Sequence, residues 1–282
     1  MEIIEKKIVT KDYLTKSKLP ASDYVINPYV GCPHACKYCY ASFMKRFTGH
    51  EEEWGSFIDI KECEKPINVK RIKGKSVFLS SVTDCYNVFE KKYKITRNIL
   101  EQLADVDCQI TVSTKSALIV RDIDLLKKLR KLKVAFSLNT LDEKFQKDMD
   151  NASKIIERLK ALKILHEEGI YTVLFMSPIF PYITECQELI DVSKDRVCEY
   201  WFENLNLRGA YKKTILNYIR VNYPQLLEKY KQIYLKNDLT YWKELSYALD
   251  RYCSERKVRY INYFYHEELV KKKSETNNKN IS

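Results

Sequence analysis

Cys32, Cys36 and Cys39 stand in the string GCPHACKYCY with C-x3-C-x2-C spacing, immediately after the run Asp23–Gly31, which reads as a strand. Thiolates are soft ligands that suit iron–sulfur clusters, zinc or copper(I). Three of them on one short loop can hold three irons of a cubane and leave the fourth iron with open positions. The competing reading is a zinc site completed by His34, His50 or Cys63. No second C-x2-C and no His pair at finger spacing accompanies them. Cys63, Cys108, Cys186, Cys198 and Cys253 show no ligand spacing and read as small core residues. The chain has nine cysteines. Its N-terminus, MEIIEKKIVTKDYL, is charged from the second residue and has no apolar signal core. Metal or redox chemistry in a cytoplasmic protein is therefore expected, rather than a disulfide framework.

The elements that must position this loop alternate. After Asp23–Gly31, apolar runs rich in β-branched and aromatic residues recur at Ser76–Val82, Cys108–Thr114, Lys133–Asn139, Tyr171–Ser177 and Val197–Leu207. They read as buried strands. Between them lie helical patterns. One carries Ile95, Ile99 and Leu103, and a second carries Leu126, Leu129 and Leu132. A third carries Ile155, Leu159, Leu162 and Leu165, beginning after Ser153 and stopping at Gly169. Alternation of this kind predicts parallel strands with crossover helices. The fold class is thus α/β, a partial (β/α)6 TIM-type barrel two strands short of the full eight. After Gly209 the pattern changes to helices only, with Trp242, Leu245, Leu249 and Tyr252 on one face. The organisation expected is a lead-in over 1–23, the barrel over 24–209, a helical C-terminal extension over 210–270 and a polar, disordered tail over 271–282.

The balance of 45% hydrophobic and 31% charged residues is that of a globular protein, not a disordered one. The most apolar stretch, Tyr171–Ile183, is too short to span a bilayer and holds two prolines, so no membrane partner is expected. The net charge of +11 is spread along the chain. It fits either a Lys-rich surface without a polyanionic partner or attraction to nucleic acid.

The residues now point to a family. The run NPYVGCPHACKYCYASFMKRFTGHEEEWGSFIDIK resembles the spore photoproduct lyase-like branch of the radical S-adenosylmethionine (SAM) superfamily, as do TDCYNVFE, TKSALIVRDIDLL and SPIFPYIT. The C-x3-C-x2-C spacing and the aromatic Tyr38 before the third cysteine are shared with that superfamily. Within the branch the chain is similar to small radical SAM proteins encoded as adjacent pairs on mobile elements.

The resemblance implies a 4Fe–4S cluster on Cys32, Cys36 and Cys39, with SAM chelated at the free iron and cleaved to a 5′-deoxyadenosyl radical. It also implies an electron donor of flavodoxin or ferredoxin type. Thr83 and Asp84 would receive the SAM amino group, where an ammonium needs an acceptor, although Asp also serves well as a helix N-cap. Lys115 would bind the SAM carboxylate, and Ser137 and Asn139 would serve the ribose and carboxylate side. Tyr38, Ser177 and Ile179 would line the adenine. Ser81 stands where the lyase has the cysteine that returns a hydrogen atom. A serine O–H bond is too strong for that role, which puts thymine-dimer reversal in doubt. The tyrosine that assists the relay is matched by Tyr40. Cys85, four residues past Ser81, is either a displaced donor or structural. Three functions stay open: radical chemistry on nucleic acid, modification of a peptide or of a paired radical SAM protein, and non-catalytic, metal-bound nucleic-acid recognition. The Lys/Arg excess and the 21 tyrosines suit the first.

Overall fold

The computed structural model describes residues 3–19 and 22–264. Its strands are β1 (Ile4–Val9), β2 (Leu14–Lys16), β3 (Tyr24–Ile26), β4 (Tyr29–Val30), β5 (Phe57–Glu62), β6 (Ser76–Leu79), β7 (Gln109–Thr114), β8 (Lys131–Ser137), β9 (Thr172–Ile179), β10 (Glu199–Asn204) and β11 (Tyr260–Asn262). Its helices are α1 (Glu90–Tyr93), α2 (Ile95–Leu103), α3 (Ile123–Leu126), α4 (Glu143–Met149), α5 (Ile155–Glu167), α6 (Cys186–Ser193), α7 (Gly209–Asn222), α8 (Leu227–Leu235) and α9 (Thr240–Glu255).

Among the described residues the main sheet runs β11-β10-β9-β8-β7-β6-β3-β2. Each of the six expected strands contributes one member, β3, β6, β7, β8, β9 and β10, and neighbours among them pair in parallel. The helices between them pack on one face, where Val134, Phe136, Leu174, Met176, Tyr200 and Phe202 join the buried faces of α2 and α5 in the main core. Side chains alternate along a strand, so Ala135, Val173 and Trp201 form a separate cluster on the other face. Ser137, Ser177 and Glu203 share that second face by register. Parallel strands present all their C-terminal ends at one edge of the sheet, and ligands of such barrels gather there.

The helix expected over Leu126, Leu129 and Leu132 is corrected. After a 3-10 turn over Ala117–Asp122, α3 makes a single turn and ends at Leu126, and Leu132 pairs with Ile110 inside the parallel sheet. A spacing of three residues fits a helix and a turn-plus-strand alike, and the ladder to β7 decides. Helix α5 lies as expected, from Ile155 to Glu167, with Leu162 and Leu165 fully buried. Trp242 and Leu249 are buried on α9 as expected.

The chain after Gly209 is not helical throughout, because β11 adds in parallel to the outer edge of β10. A smaller sheet was not foreseen either. In it β1 and β4 flank β5, the first in parallel and the second antiparallel. The exposed side chains of β1 carry no apolar period that could announce it. The expected tail over 271–282 lies outside the described residues. Among the described residues no helix is long and apolar enough to cross a membrane.

Candidate functional site

The cysteine loop is clamped from three directions. On one side it meets the segment 54–57. Gly31 has φ +83° and lies so close to Phe57 that a Cβ would sit 2.4 Å from the Phe57 carbonyl oxygen. Gly55, at φ +104°, would bring a Cβ to 2.7 Å from that of Ala35. Both positions need glycine for the backbone conformation and for the close approach. Phe57 is stacked under His50 at 3.9 Å, and His50 is held between Glu52 (2.9 Å) and Asp59 (2.8 Å).

On a second side the loop docks on the end of α4. Lys37 N–H donates to the Met149 carbonyl at 2.9 Å, Asn151 N–H to the His34 carbonyl at 2.8 Å, and the Tyr38 hydroxyl to Asp150 at 2.9 Å. Asp150 is itself held by Arg158 at 2.6 Å, and both side chains are almost wholly buried. Burial works against the Asp150 carboxylate, but Arg158 and Lys115 prevail and keep its pKa below the ordinary value. On the third side the Thr83 hydroxyl donates to the Gly31 carbonyl at 2.7 Å. Asp84 lies 3.4 Å from the His34 ring and accepts from the Thr114 hydroxyl, Lys115 N–H and Tyr86 N–H at 2.8, 2.7 and 2.9 Å. Asp84 therefore ties the cysteine loop to the ends of β6 and β7, which is more than the N-cap role that its position allowed.

Cys32 is buried, while Cys36 and Cys39 are half-buried. Burial pushes all three thiols up, and at Cys32 the nearby Asp84, Cys36 and Cys39 push further. As thiolates the three would need a cationic centre to balance them, and metal binding discharges thiol protons in this way. Among the described residues no three His, Cys, Asp or Glu side chains gather around one point. The three thiols lie close enough to act on one another, and three thiols on one loop are a donor set that fits three corners of a cubane.

The remaining expected residues lie at the strand ends. Lys115 follows β7 and carries its ammonium 5.8 Å from the Tyr38 ring centroid. Ser137 ends β8 and is buried, and its carbonyl accepts from Arg158 at 3.3 Å. Asn139 is buried and donates to the Pro178 carbonyl at 2.9 Å. Ser177 and Ile179 end β9, Ile179 fully buried and Ser177 donating to Glu203. Tyr38 is buried, packs edge-on against Phe180 and commits its hydroxyl to Asp150. Tyr40 is 56% exposed, and its hydroxyl donates to the Ser81 carbonyl. Cys85 and Ile179 stand apart from these: both are fully buried in the main core, and Ser80 and Thr96 bond to the Cys85 backbone.

Three participants escaped the sequence reading. Glu203 ends the sixth parallel strand and faces the same side as Ser137 and Ser177. Trp54 precedes Gly55, whose backbone packs against Ala35 of the cysteine loop, and meets Phe57 edge-on. The buried Asp150–Arg158 pair had a signal, because Arg158 shares the apolar face of α5 with Ile155 and Leu162 and so needs a buried partner. For Glu203 and Trp54 the signal exists only in three dimensions.

The profile of the Radical SAM superfamily matches residues 26–192. An uncharacterized protein of Methanocaldococcus jannaschii is 40% identical over 230 residues, 81% of this chain and 86% of that protein. An uncharacterized protein of Acidianus two-tailed virus is 32% identical over 217 residues, 68% of this chain and 71% of that protein. Among solved structures, spore photoproduct lyase complexed with dinucleoside spore photoproduct superposes with a TM-score of 0.56 at 17% identity, covering 78% of this chain and 66% of the lyase. Streptococcus suis SuiB bound to S-adenosylmethionine gives 0.53 at 17% identity, covering 93% of this chain and 50% of SuiB. The chain thus spans about two thirds of the lyase and half of SuiB, and these likenesses concern the fold. With its three cysteines on the loop after the first parallel strand and the superfamily profile matched across most of the sheet, this chain belongs to the Radical SAM superfamily.

Proposed function

We propose that this protein is a radical SAM enzyme of the spore photoproduct lyase-like branch acting on nucleic acid, with a 4Fe–4S cluster on Cys32, Cys36 and Cys39. The observation that carries this reading is the triply clamped loop, which sets one buried and two half-buried thiols at the edge where the parallel strands end. Cluster and SAM, when bound, supply reductive cleavage of the sulfonium to a 5′-deoxyadenosyl radical. The protein's part is to bind, orient and exclude water. Lys115 offers an ammonium for the SAM carboxylate. Asp84 and Thr83 would orient the loop that faces the amino group. Ser137 and Asn139 would border the ribose side, and Tyr38 would give the adenine an aromatic wall, with Ile179 able to serve it only through its backbone because its side chain lies in the main core. Tyr40, exposed beside the Ser81 carbonyl, is the residue best placed to meet a substrate radical.

The substrate assignment rests on the net charge of +11, on exposed aromatic side chains next to the cluster loop (Tyr40, Phe43 and Phe47), and on Arg46, which lies over the Phe47 ring at 4.7 Å. Bases stack on such rings while cations track phosphates. Ser81 and the buried Cys85 leave thiol return of a hydrogen atom without a donor, so spore photoproduct itself is not the proposed substrate. The test is anaerobic turnover with dithionite and SAM, alone and with single- or double-stranded DNA or RNA, followed by chromatography of nucleosides and 5′-deoxyadenosine. Stimulation of 5′-deoxyadenosine by one nucleic acid, with an altered nucleoside, is expected. Stimulation only by a protein fraction would overturn the nucleic-acid reading, and clean dinucleotide repair would overturn the statement about spore photoproduct.

A further inference from the structure

The two faces of the main sheet are filled to different degrees. On the helix face Phe136, Leu174, Met176 and Phe202 are fully buried. On the opposite face Phe175, Ser177, Glu203 and Tyr263 stay half-buried. A complete barrel packs its interior with layers of side chains, so half-exposed rings and a carboxylate on the inner face leave room for a ligand.

Strand register sets what this face presents. Trp201 lies beside Phe175, and Tyr263 meets both. The three rings contact edge-on, with centroids 5.5, 5.8 and 6.5 Å apart. Trp201 is 7% exposed, and its indole N–H has no hydrogen-bond partner among the described residues. A buried donor left unmet is costly, so one that persists calls for an acceptor that arrives from outside.

Glu203 stands two residues further along the same face, toward the C-terminal edge. A bulge in β9 sets Ser177 and Pro178 together opposite it, and bulges re-aim side chains beside functional sites. The Ser177 hydroxyl donates to the Glu203 carboxylate. Glu199, earlier on the same face, is neutralised by Lys133 at 2.6 Å. Among the described residues no cation does this for Glu203, in a protein of net charge +11. The face thus offers one unmet donor, one uncompensated acceptor and a set of rings.

Resting on the nucleic-acid reading above, we infer that Glu203 is a specificity-determining residue that accepts a hydrogen bond from the exocyclic amino group of the target base. The Trp201 N–H would meet an acceptor atom of the same base, with Phe175 and Tyr263 against its ring. Glu paired with a base amino group is a favoured contact. Thymine and uracil lack that group, and their single ring N–H is flanked by two carbonyl oxygens that an anion repels.

The test compares oligo(dC), oligo(dA) and oligo(dT) of equal length as stimulants of 5′-deoxyadenosine formation by the reconstituted full chain. Wild type should favour an amino-bearing oligomer over oligo(dT) on the order of tenfold in kcat/KM, the discrimination of one such pair. Glu203→Gln, which turns one acceptor oxygen into a donor, should narrow or invert that ratio. An unchanged ratio in the iron-loaded variant overturns the inference, as does a wild type that favours oligo(dT). Loss of SAM binding in loaded Glu203→Gln would assign the carboxylate to SAM and overturn it too. Should the variant fail to load iron, the wild-type preference decides alone. Stimulation without base preference sinks this inference only, whereas no stimulation by any oligonucleotide sinks the nucleic-acid reading beneath it.

Discussion

Lys115 makes two different contributions at two different atoms. Its backbone N–H is committed to Asp84 at 2.7 Å, whereas its ammonium reaches across to the Tyr38 ring and the cysteine loop. Truncating the side chain therefore removes a charge from the site and leaves the backbone tie intact. Lys115→Ala is predicted to weaken SAM binding by about 1.5–3 kcal/mol, the value of one charge-assisted hydrogen bond, with iron content unchanged in equilibrium dialysis. Ser137→Ala should act in the same direction. Undiminished affinity in Lys115→Ala would show that another residue takes the carboxylate. Among single residues the sequence was most readable at the cysteines, whose type and spacing carry the chemistry on their own. It was least readable at Glu203 and Trp54. A Glu ending an aromatic strand and a Trp in an acidic run look like ordinary surface residues until the strands are assembled.

The cysteine loop depends on elements far from it in sequence. Its seat on α4 is only as firm as the Asp150–Arg158 pair behind it. Removing one member of a buried pair leaves the other charged and unmatched, at a cost of roughly 3–5 kcal/mol. Asp150→Ala should lower stability by that order in urea unfolding and should reduce the iron retained after desalting. Replacing both members by apolar residues of similar size should restore most of the stability. The Asp150 pKa is depressed in the folded protein, so its contribution is present above the ordinary carboxylate pKa and is lost as pH falls through the folded value. Acid should therefore erode wild type more than the apolar double variant. Strand identity was legible wherever a strand is buried on both faces, as in Lys133–Asn139, because continuous β-branched and aromatic runs are what such strands require. It was illegible for β1, an exposed edge, and for Leu132, whose spacing from Leu126 and Leu129 was compatible with a helix, and only pairing with β7 decides otherwise.

For the molecule as a whole, the extension returns to the barrel. Helix α9 buries Trp242 and Leu249 against the main core, and β11 then pairs with β10, next to the strand end that carries Glu203. Two neighbouring lysines of α7 stand in different surroundings. Lys212 caps the Tyr234 carbonyl at 2.8 Å, while Lys213 is exposed. Binding to single-stranded nucleic acid should fall steeply as salt rises, by counterion release. Lys213→Ala should flatten that dependence without loss of stability, whereas Lys212→Ala should also loosen the packing of α7 on α8. No measurable binding at low salt would leave the charge of +11 without a functional role.

Whether Cys32, Cys36 and Cys39 hold a SAM-binding cluster is decided by EPR of the anaerobically reconstituted, reduced protein. About four irons and four sulfides per chain are expected, with a signal that changes shape on addition of SAM and is lost in each of Cys32→Ala, Cys36→Ala and Cys39→Ala. Stoichiometric zinc with no iron uptake, or an iron signal indifferent to SAM, would show that these cysteines hold no such cluster.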